Sequence, residues 1–310
     1  MAPPLLRIGT RGSKLALRQA VELADRLGKA HPELAAPGAI ETIVIRTSGD
    51  REAERNLADI GGKGLFTKEL EEALLDGRVD LAVHSMKDMP TQTPDGLAIA
   101  AHLPREDSRD ALIARDANAL KDLPSGATVG TSSIRRKAQL LNLRPDLTIV
   151  PFRGNVDTRL ARIARGEAAA TMLALAGLKR LGREAEASVI FSTAEILPAP
   201  AQGIIAIEIR EKDGRARSLL AAIDHRPTAI CAAAERALLA ALDGSCRTPI
   251  AALARLDGNH IALDAMVISP DGRVSHRLDR STTTSRARDL GHELGMALRE
   301  LAGPNFFGVA

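Results

Sequence analysis

The chain has 310 residues, of which 45% are hydrophobic and 26% are charged, and its formal net charge is +3. These values are typical of a globular protein with two or three domains. Aromatic residues are limited to five phenylalanines, which disfavours a protein that stacks single-stranded nucleic acid on aromatic side chains. Arginine outnumbers lysine by 33 to 9, and guanidinium groups suit bidentate binding of carboxylate or phosphate. A GC-rich genome would also raise the arginine content, so the positions of the arginines matter most.

Two cysteines, Cys231 and Cys246, do not form a disulfide framework. The N-terminal segment has no apolar stretch typical of a secretory signal, and no apolar run approaches the ~20 residues that span a bilayer. We therefore expect a cytoplasmic protein that binds neither membrane nor nucleic acid. No cysteine or histidine spacing typical of a metal site is present, so no metal is predicted. Cys231 lies in an alanine-rich helical stretch and is predicted to belong to the core.

The first elements in chain order are a strand at residues 5–10, an amphipathic helix from Ser13 onwards and a strand at residues 40–46. Ser13 is a natural N-cap for this helix. Arg11 and Ser13 at a helix N-terminus directly after a strand favour an anion site. A plain helix cap is the alternative interpretation.

Residues 48–64 contain a run of charged residues between Asp50 and Arg55 and then the glycine cluster Gly61-Gly62-Lys63-Gly64. This composition predicts a mobile segment that could act as a lid over a cleft. The spacing of a Walker phosphate-binding loop is absent, because Lys63 is followed by glycine rather than serine or threonine. A nucleotide site is therefore not expected here, and a helix follows at residues 65–75.

The stretch VDLAVHSMKDMP at residues 79–90 begins as a buried strand and ends in polar residues and a proline. Its polar half is predicted to lie at the carboxyl edge of a sheet, where open α/β sheets bind ligands. Asp88 beside Lys87 is the best candidate for general acid–base chemistry. His84 and Ser85 are predicted to support the turn, His84 as a hydrogen-bonded packing residue. The alternative is a solvated turn with a surface ion pair.

The strand–helix alternation restarts near residue 104 and predicts a second lobe with a parallel sheet. In this lobe hydroxyl or cationic side chains again follow the predicted strands: Ser133, Arg135, Arg136, Arg153, Arg159 and Arg180. One arginine on a helix is normally solvated surface, but repetition at one topological position favours a common role. Two such lobes facing one another would form an anion-binding cleft.

Residues 198–203 are predicted to be a linker, and a strand at residues 204–209 is predicted to return to the first lobe. Alternating strands at residues 250–256, 261–268 and 273–278 and a helix at residues 285–301 predict a small α+β third domain. The expected domains are residues 1–103 with 204–221, residues 104–203, and residues 222–310. Cys246 lies in a Gly-Ser-Cys turn beside Arg247, which would favour its thiolate. An ordinary turn cysteine is the alternative.

Six ordered segments resemble the porphobilinogen deaminase (hydroxymethylbilane synthase) family over nearly the whole chain. They are RIGTRGSKLALRQA at 7–20, GGKGLFTKELEEALLDGRVDLAVHSMKDMPT at 61–91, GTSSIRRKAQL at 130–140, RGNVDTRLARI at 153–163, LALAGLKRL at 173–181 and GSCRTPI at 244–250. One departure is Ala201, where the family often has glycine.

This resemblance implies an α/β fold with two lobes like those of type II periplasmic binding proteins and a small α+β C-terminal domain. It implies a transferase of porphyrin and heme biosynthesis that joins four porphobilinogen molecules head to tail, releasing ammonia and giving hydroxymethylbilane. The chain would be built on a covalently bound dipyrromethane cofactor. The family is usually monomeric, and hand-over of the product to uroporphyrinogen-III synthase is an expected interaction.

The same resemblance implies roles for individual residues. Asp88 matches the catalytic aspartate, and Cys246 matches the cysteine that holds the cofactor through a thioether. Residues 48–64 match a loop beside the active site. Groups that match cofactor contacts are Lys87, Ser133, Arg135 and Arg136, and groups that match substrate contacts are Arg11, Ser13, Arg153, Arg159 and Arg180.

Two other classes of protein remain as alternatives. A two-lobed anion-binding sensor without catalysis would share the fold and the arginines. An RNA-associated protein would exploit the arginine content, but the scarcity of aromatic residues and the near-neutral charge weigh against it.

Overall fold

The computed structural model describes residues 4–48, 66–243, 248–304 and 306. The described chain divides into two compact units. The first unit comprises the described residues up to Glu106 together with Ile204–Ala229, and the second comprises Asp107–Gly203 with the described residues from Ile230 onwards. The predicted return of residues 204–209 to the first part of the fold is therefore confirmed. The finer division into three domains stays a prediction.

The strands in chain order are β1 (Leu6–Thr10), β2 (Ile40–Val44), β3 (Leu81–Ser85), β4 (Leu97–His102), β5 (Asp110–Ala114), β6 (Thr128–Gly130), β7 (Thr148–Val150), β8 (Ala170–Ala174), β9 (Val189–Ile190), β10 (Ile205–Arg210), β11 (Ile250–Asp257), β12 (His260–Ile268) and β13 (Ser275–Thr283). The α-helices are α1 (Lys14–Ala30), α2 (Lys68–Leu75), α3 (Ile134–Leu143), α4 (Val156–Ala164), α5 (Leu175–Arg180), α6 (Gly214–Ala221), α7 (Arg226–Ala241) and α8 (Ala287–Ala302).

The first unit is built on a sheet with the strand order β2-β1-β3-β10-β4. Strand β1 pairs in parallel with β2 and β3, whereas β10 is antiparallel to both β3 and β4. The sequence predicts that β10 joins this lobe but does not predict its antiparallel direction. This strand enters the sheet directly from the second unit, without a crossover helix that would set it parallel to its neighbours. Leu23 and Leu27 of α1 pack with Ile8 and Leu81 in the core of the unit.

The second unit contains a sheet with the order β7-β6-β8-β5-β9. Strand β6 pairs in parallel with β7 and β8, and β5 is antiparallel to β8 and β9. The parallel arrangement predicted for this lobe is correct for β6, β7 and β8 and wrong for β5, the strand that carries the chain in from the other unit. The two sheets thus share one topology, in which the entering strand is the fourth of the five strands across its sheet.

The second unit also holds an antiparallel sheet of β11, β12 and β13 with α7 and α8 packed on it. The predicted small α+β arrangement is confirmed. Helices α7 and α8 approach closely through glycines of α8: a Cβ on Gly295 would lie 2.7 Å from Cβ of Ala241. Strand β13 extends to Thr283, beyond the predicted end at residue 278, because its exposed edge needs no alternation of apolar residues.

Candidate active site

The carboxyl ends of β1 and β3 lie side by side at one edge of the first sheet. The two strands run in parallel with Gly9 opposite Ala82, so the residues that follow them emerge at the same edge. Arg11 follows β1, and its guanidinium lies 4.1 Å from the ring centre of Phe66. Ser13 is the N-cap of α1, as predicted, and its Oγ accepts a hydrogen bond of 3.2 Å from Ala16 N. This end of the unit therefore presents a cation and a helix N-terminus.

The residues after β3 form a short 3-10 turn, Met86–Asp88. Met86 is buried and its N–H donates to Ile204 O at 3.0 Å, which fixes the start of the turn. Lys87 and Asp88 are half-buried. The structure thus places the predicted catalytic carboxylate and its neighbouring cation at the carboxyl edge of the sheet, in the same unit as Arg11 and Ser13.

Two side chains before this turn hold β3 in place. His84 is buried, and its Nε2 lies 3.1 Å from Oε2 of Glu208 on β10. Ser85 Oγ accepts a hydrogen bond of 2.9 Å from Gln19 Nε2 of α1. The prediction that His84 is a hydrogen-bonded packing residue is confirmed. The buried carboxyl of Glu71 on α2 completes this polar group, and burial raises its pKa.

In the second unit the predicted residues again follow parallel strands. Ser133 comes after β6 and caps α3, with its Oγ accepting from Arg136 N at 3.4 Å. Arg153 and Arg159 follow β7, and Arg180 ends the helix that follows β8. Nε of Arg159 donates to Gly154 O at 3.0 Å. Because β6, β7 and β8 are parallel, the segments that carry these groups begin at one edge of the sheet.

Arg135 and Arg136 are buried, not solvated, and both guanidinium groups contact the carboxylate of Asp110. Nη1 of Arg135 and Nη2 of Arg136 each lie 2.7 Å from an oxygen of Asp110. Burial would raise the pKa of Asp110, but the two arginines outweigh it and hold the pKa far below its ordinary range. Asp110 is therefore ionised at neutral pH, and this buried ion cluster has one positive charge more than it has negative.

Sequence reasoning missed Asp110 and Gln202. Nε2 of Gln202 donates a hydrogen bond to Oδ1 of Asp110 at 3.0 Å. A signal was present in the sequence. Asp110 begins an apolar strand, and Arg135 and Arg136 lie in a helix that also carries Ile134, Ala138 and Leu140. A buried carboxylate and two buried guanidinium groups need partners, but the sequence does not say that they are partners of each other.

Cys246 and most of the predicted lid, residues 49–64, lie outside the described residues. Cys231 is buried in the core formed by α7, α8 and the antiparallel sheet, as predicted. Within the described ranges no helix is both long enough and apolar enough to cross a membrane.

Comparison with known proteins gives two family matches. Residues 6–218 match "Porphobilinogen deaminase, dipyromethane cofactor binding domain", and residues 229–300 match "Porphobilinogen deaminase, C-terminal domain". The chain is 53% identical over 303 residues to the porphobilinogen deaminase of Nitrobacter winogradskyi, covering 98% of this chain and 95% of the relative. It is 52% identical to that of Nitrobacter hamburgensis over the same shares of the two chains.

Solved structures similar to this chain include a putative methionine-binding lipoprotein of Bacillus subtilis, with 15% identity, a TM-score of 0.43 and coverage of 72% of this chain and 91% of that chain. A periplasmic substrate-binding protein of an ABC transporter from Coxiella burnetii has 17% identity and the same TM-score, covering 74% of this chain and 96% of that chain.

Two α/β sheets with cationic carboxyl edges, an antiparallel C-terminal sheet and matches to both family regions define a cofactor-dependent transferase. The chain belongs to the porphobilinogen deaminase family. Its activity is that of the family, the joining of porphobilinogen units with release of ammonia on a dipyrromethane cofactor. The alternative of a two-lobed sensor without catalysis is not favoured, because the matches to enzymes extend over nearly the whole chain.

The buried arginines fit a cofactor that carries carboxylates. Nε of Arg135 is buried and meets no hydrogen-bond acceptor among the described residues. Together with the surplus positive charge beside Asp110, this donor is suited to an anionic oxygen. Arg135, Arg136 and the capped N-terminus of α3 at Ser133 are therefore compatible with holding a carboxylate-bearing group.

Proposed function

We propose that Asp88 is the catalytic carboxylate of the porphobilinogen deaminase reaction in this chain. The observation that supports this most is its position, half-buried in the turn Met86–Asp88 directly after the buried strand β3. A carboxylate in such a place is partly shielded from water and still accessible to a ligand, which strengthens its electrostatic effect.

Asp88 acts on protons and on developing positive charge. The substrate loses ammonia from its aminomethyl carbon, and cleavage of this C–N bond leaves positive charge that the pyrrole nitrogen shares. A carboxylate that accepts a hydrogen bond from the pyrrole N–H stabilises this charge. The same carboxylate can receive the proton that the pyrrole α-carbon loses when the new C–C bond has formed.

The cations and caps at the two sheet edges bind carboxylates. Each porphobilinogen carries an acetate and a propionate, so every unit joined adds two negative charges that need partners. Substrate is bound by Arg11 and Ser13 in the first unit and by Arg153, Arg159 and Arg180 in the second. Their position after parallel strands supports this role.

The dipyrromethane cofactor is held by Cys246 through a thioether and by Lys87, Ser133, Arg135 and Arg136. When bound, it supplies the free pyrrole α-carbon to which the first substrate unit is joined. The support for Cys246 is its place in the segment GSCRTPI. The support for the arginines is their burial and their surplus positive charge.

Intact-protein mass and turnover of Asp88→Glu and Asp88→Asn test the catalytic role. Both variants are expected to retain the cofactor, because Asp88 does not carry it, and to lose most turnover, about 100-fold or more for Asp88→Asn. Asp95→Asn, an exposed carboxylate change in the same unit, is the matched control and should keep full activity. Near-normal turnover of Asp88→Asn would exclude the proposed role.

The cofactor assignment has its own test. Wild-type protein should be heavier than its sequence mass by two pyrrole units, and Cys246→Ser should lack this mass. Cys231→Ser is the matched control, since Cys231 is buried in the core. A dipyrrole still attached covalently to Cys246→Ser would show that another residue carries it. Wild-type protein with no added mass would favour a sensor without catalysis.

We further propose a cytoplasmic monomer that hands hydroxymethylbilane to uroporphyrinogen-III synthase, with domains at residues 1–103 with 204–221, 104–203 and 222–310. The product is a linear tetrapyrrole that an enzyme must close, which supports the hand-over. Sedimentation of the purified chain with and without the synthase measures both the monomeric state and the interaction.

A further inference from the structure

The buried carboxylate of Asp110 is surrounded by hydrogen-bond donors. Oδ2 accepts from Nη1 of Arg135 at 2.7 Å. Oδ1 accepts from Nη2 of Arg136 at 2.7 Å, from its Nε at 3.1 Å and from Nε2 of Gln202 at 3.0 Å. We call Asp110, Arg135, Arg136 and Gln202 the Asp110 cluster.

Backbone carbonyls fix the two guanidinium groups further. Nη1 of Arg135 also donates to Leu197 O at 2.8 Å, and Nη1 of Arg136 donates to Met172 O at 3.0 Å. Gln202 is itself held by Ser108 O at 2.7 Å. Each guanidinium plane is thus fixed by the carboxylate on one side and by a carbonyl on another, so neither is able to turn without losing buried hydrogen bonds.

The arrangement leaves binding capacity for an anion. Two guanidinium groups face one carboxylate, and Nε of Arg135 has no acceptor within the described part of the chain. A buried surplus charge and a buried unsatisfied donor are both costly. One further carboxylate would relieve both, and the fixed planes define where it must lie.

We propose that Asp110, oriented by Gln202, is a positioning residue that aligns Arg135 and Arg136 for one carboxylate of the dipyrromethane cofactor. Asp110 does not contact the reacting atoms; it acts through the two arginines. This inference rests on the proposed cofactor role of Arg135 and Arg136. The competing view is that Asp110 only neutralises the arginines, in which case its removal would strengthen anion binding.

Cofactor loading separates these views. Apoprotein is produced in cells that make no porphobilinogen, porphobilinogen is then added, and the gain of two pyrrole units is followed by intact-protein mass. Asp110→Asn has the same shape but places an NH2 group against guanidinium N–H donors. We expect its loading rate to fall at least tenfold and the rise in Tm that accompanies loading to shrink.

Asp80→Asn is the matched control, because it also neutralises a carboxylate that faces two arginines, Arg7 and Arg210, but before the amino end of β3 in the first unit. It should load at the wild-type rate. Gln202→Met keeps the volume of the side chain and removes one donor to Asp110, so it should slow loading several-fold. If Asp110→Asn does not fold, Gln202→Met decides the question.

The positioning role would be overturned if Asp110→Asn loaded cofactor at the wild-type rate or faster. If Asp110→Asn does not fold, the same result in Gln202→Met would overturn it. Failure of the proposed function would look different. In that case wild-type protein would gain no dipyrrole at all, whatever the behaviour of the variants.

Discussion

The two five-stranded sheets share a strand order but bury opposite kinds of charge on their entering strands. In the first sheet, the entering strand β10 carries Glu208 against His84, and Glu71 lies nearby on α2. In the second, the entering strand β5 carries Asp110 against two arginines. The first group has more acidic than basic members, and the second has more basic than acidic members.

This difference shows that topology alone does not make an anion site. Within the group around His84, Oε1 of Glu208 is a buried acceptor without a hydrogen-bond partner among the described residues, whereas within the Asp110 cluster Nε of Arg135 is a buried donor without one. A carboxylate ligand would be repelled by the former and bound by the latter. The first group therefore supports strand β3 and its turn, and the second is suited to hold a ligand.

Loss of Arg136 should have the largest effect on stability. Arg136→Met leaves the fully buried Asp110 with one guanidinium partner and removes the bond to Met172 O. Breaking a buried ion pair from one side costs about 3–5 kcal/mol. We expect the free energy of unfolding of the second unit, measured by urea denaturation, to fall by about 3 kcal/mol.

Two variants sharpen this result. Glu208→Gln can still hydrogen-bond His84 and should cost only about 1 kcal/mol. Arg115→Met removes an exposed pair with Asp116 and should cost less than about 0.5 kcal/mol. Equal losses in the free energy of unfolding for Arg136→Met and Glu208→Gln would contradict the expectation that the ion cluster of Asp110 is more costly to break than the contact of Glu208 with His84.

Gly130 and Gly9 occupy equivalent places in the two sheets and should differ in their tolerance of a methyl group. Each lies on the central parallel strand, opposite the second residue of the next strand. A Cβ at Gly130 would lie 2.6 Å and 2.7 Å from the two Cδ atoms of the buried Phe152, on whose ring Arg162 is stacked. At Gly9 the nearest atom would be Cγ2 of Val79, at 3.1 Å.

We therefore expect Gly130→Ala to destabilise the second unit by about 2 kcal/mol, as overpacking of a rigid core does. Gly9→Ala should destabilise the first unit by less than about 1 kcal/mol, because a small shift of Val79 relieves the contact. Thermal unfolding of both variants measures the difference. A larger loss for Gly9→Ala would contradict this account of the two strands.

Local features of both units could be predicted from the sequence because they depend on neighbouring residues. Ser13 and Ser133 cap helices as expected, and His84 is packed and hydrogen-bonded. The position of Asp88 at a sheet edge also follows from its own segment, an apolar strand followed by a polar turn and Pro90.

Features that depend on distant residues could not be predicted. Asp110 and Gln202 lie 92 positions apart in the chain, and no local pattern connects them. The antiparallel entry of β5 and β10 depends on how the chain passes between the units, which periodicity does not record. The ligand role of Arg135 and Arg136 stays a prediction, and their burial against a carboxylate does not follow from the sequence.

The smallest expected effect is a difference in pH dependence between the two groups. Burial raises the pKa of Glu71. The folded first unit therefore binds a proton at a pH at which the unfolded chain does not, and its stability should rise as the pH falls from 7 towards about 4.3. The contribution of Asp110 to stability changes with pH in the opposite direction. Its lowered pKa stabilises the second unit above about pH 3.9, and this contribution is lost as the pH falls further.

Glu71→Gln should remove the gain in stability of the first unit between pH 7 and about 4.3, an effect of at most about 1 kcal/mol. Denaturation at a series of pH values, followed by hydrogen exchange of β3 amides, measures it. Glu72→Gln is the matched control, because Glu72 is the exposed neighbour of Glu71 on the same helix and should leave the slope unchanged. An unchanged slope in Glu71→Gln would show that this carboxyl titrates normally. Only the Asp110 cluster would then change its contribution to stability with pH through a shifted pKa.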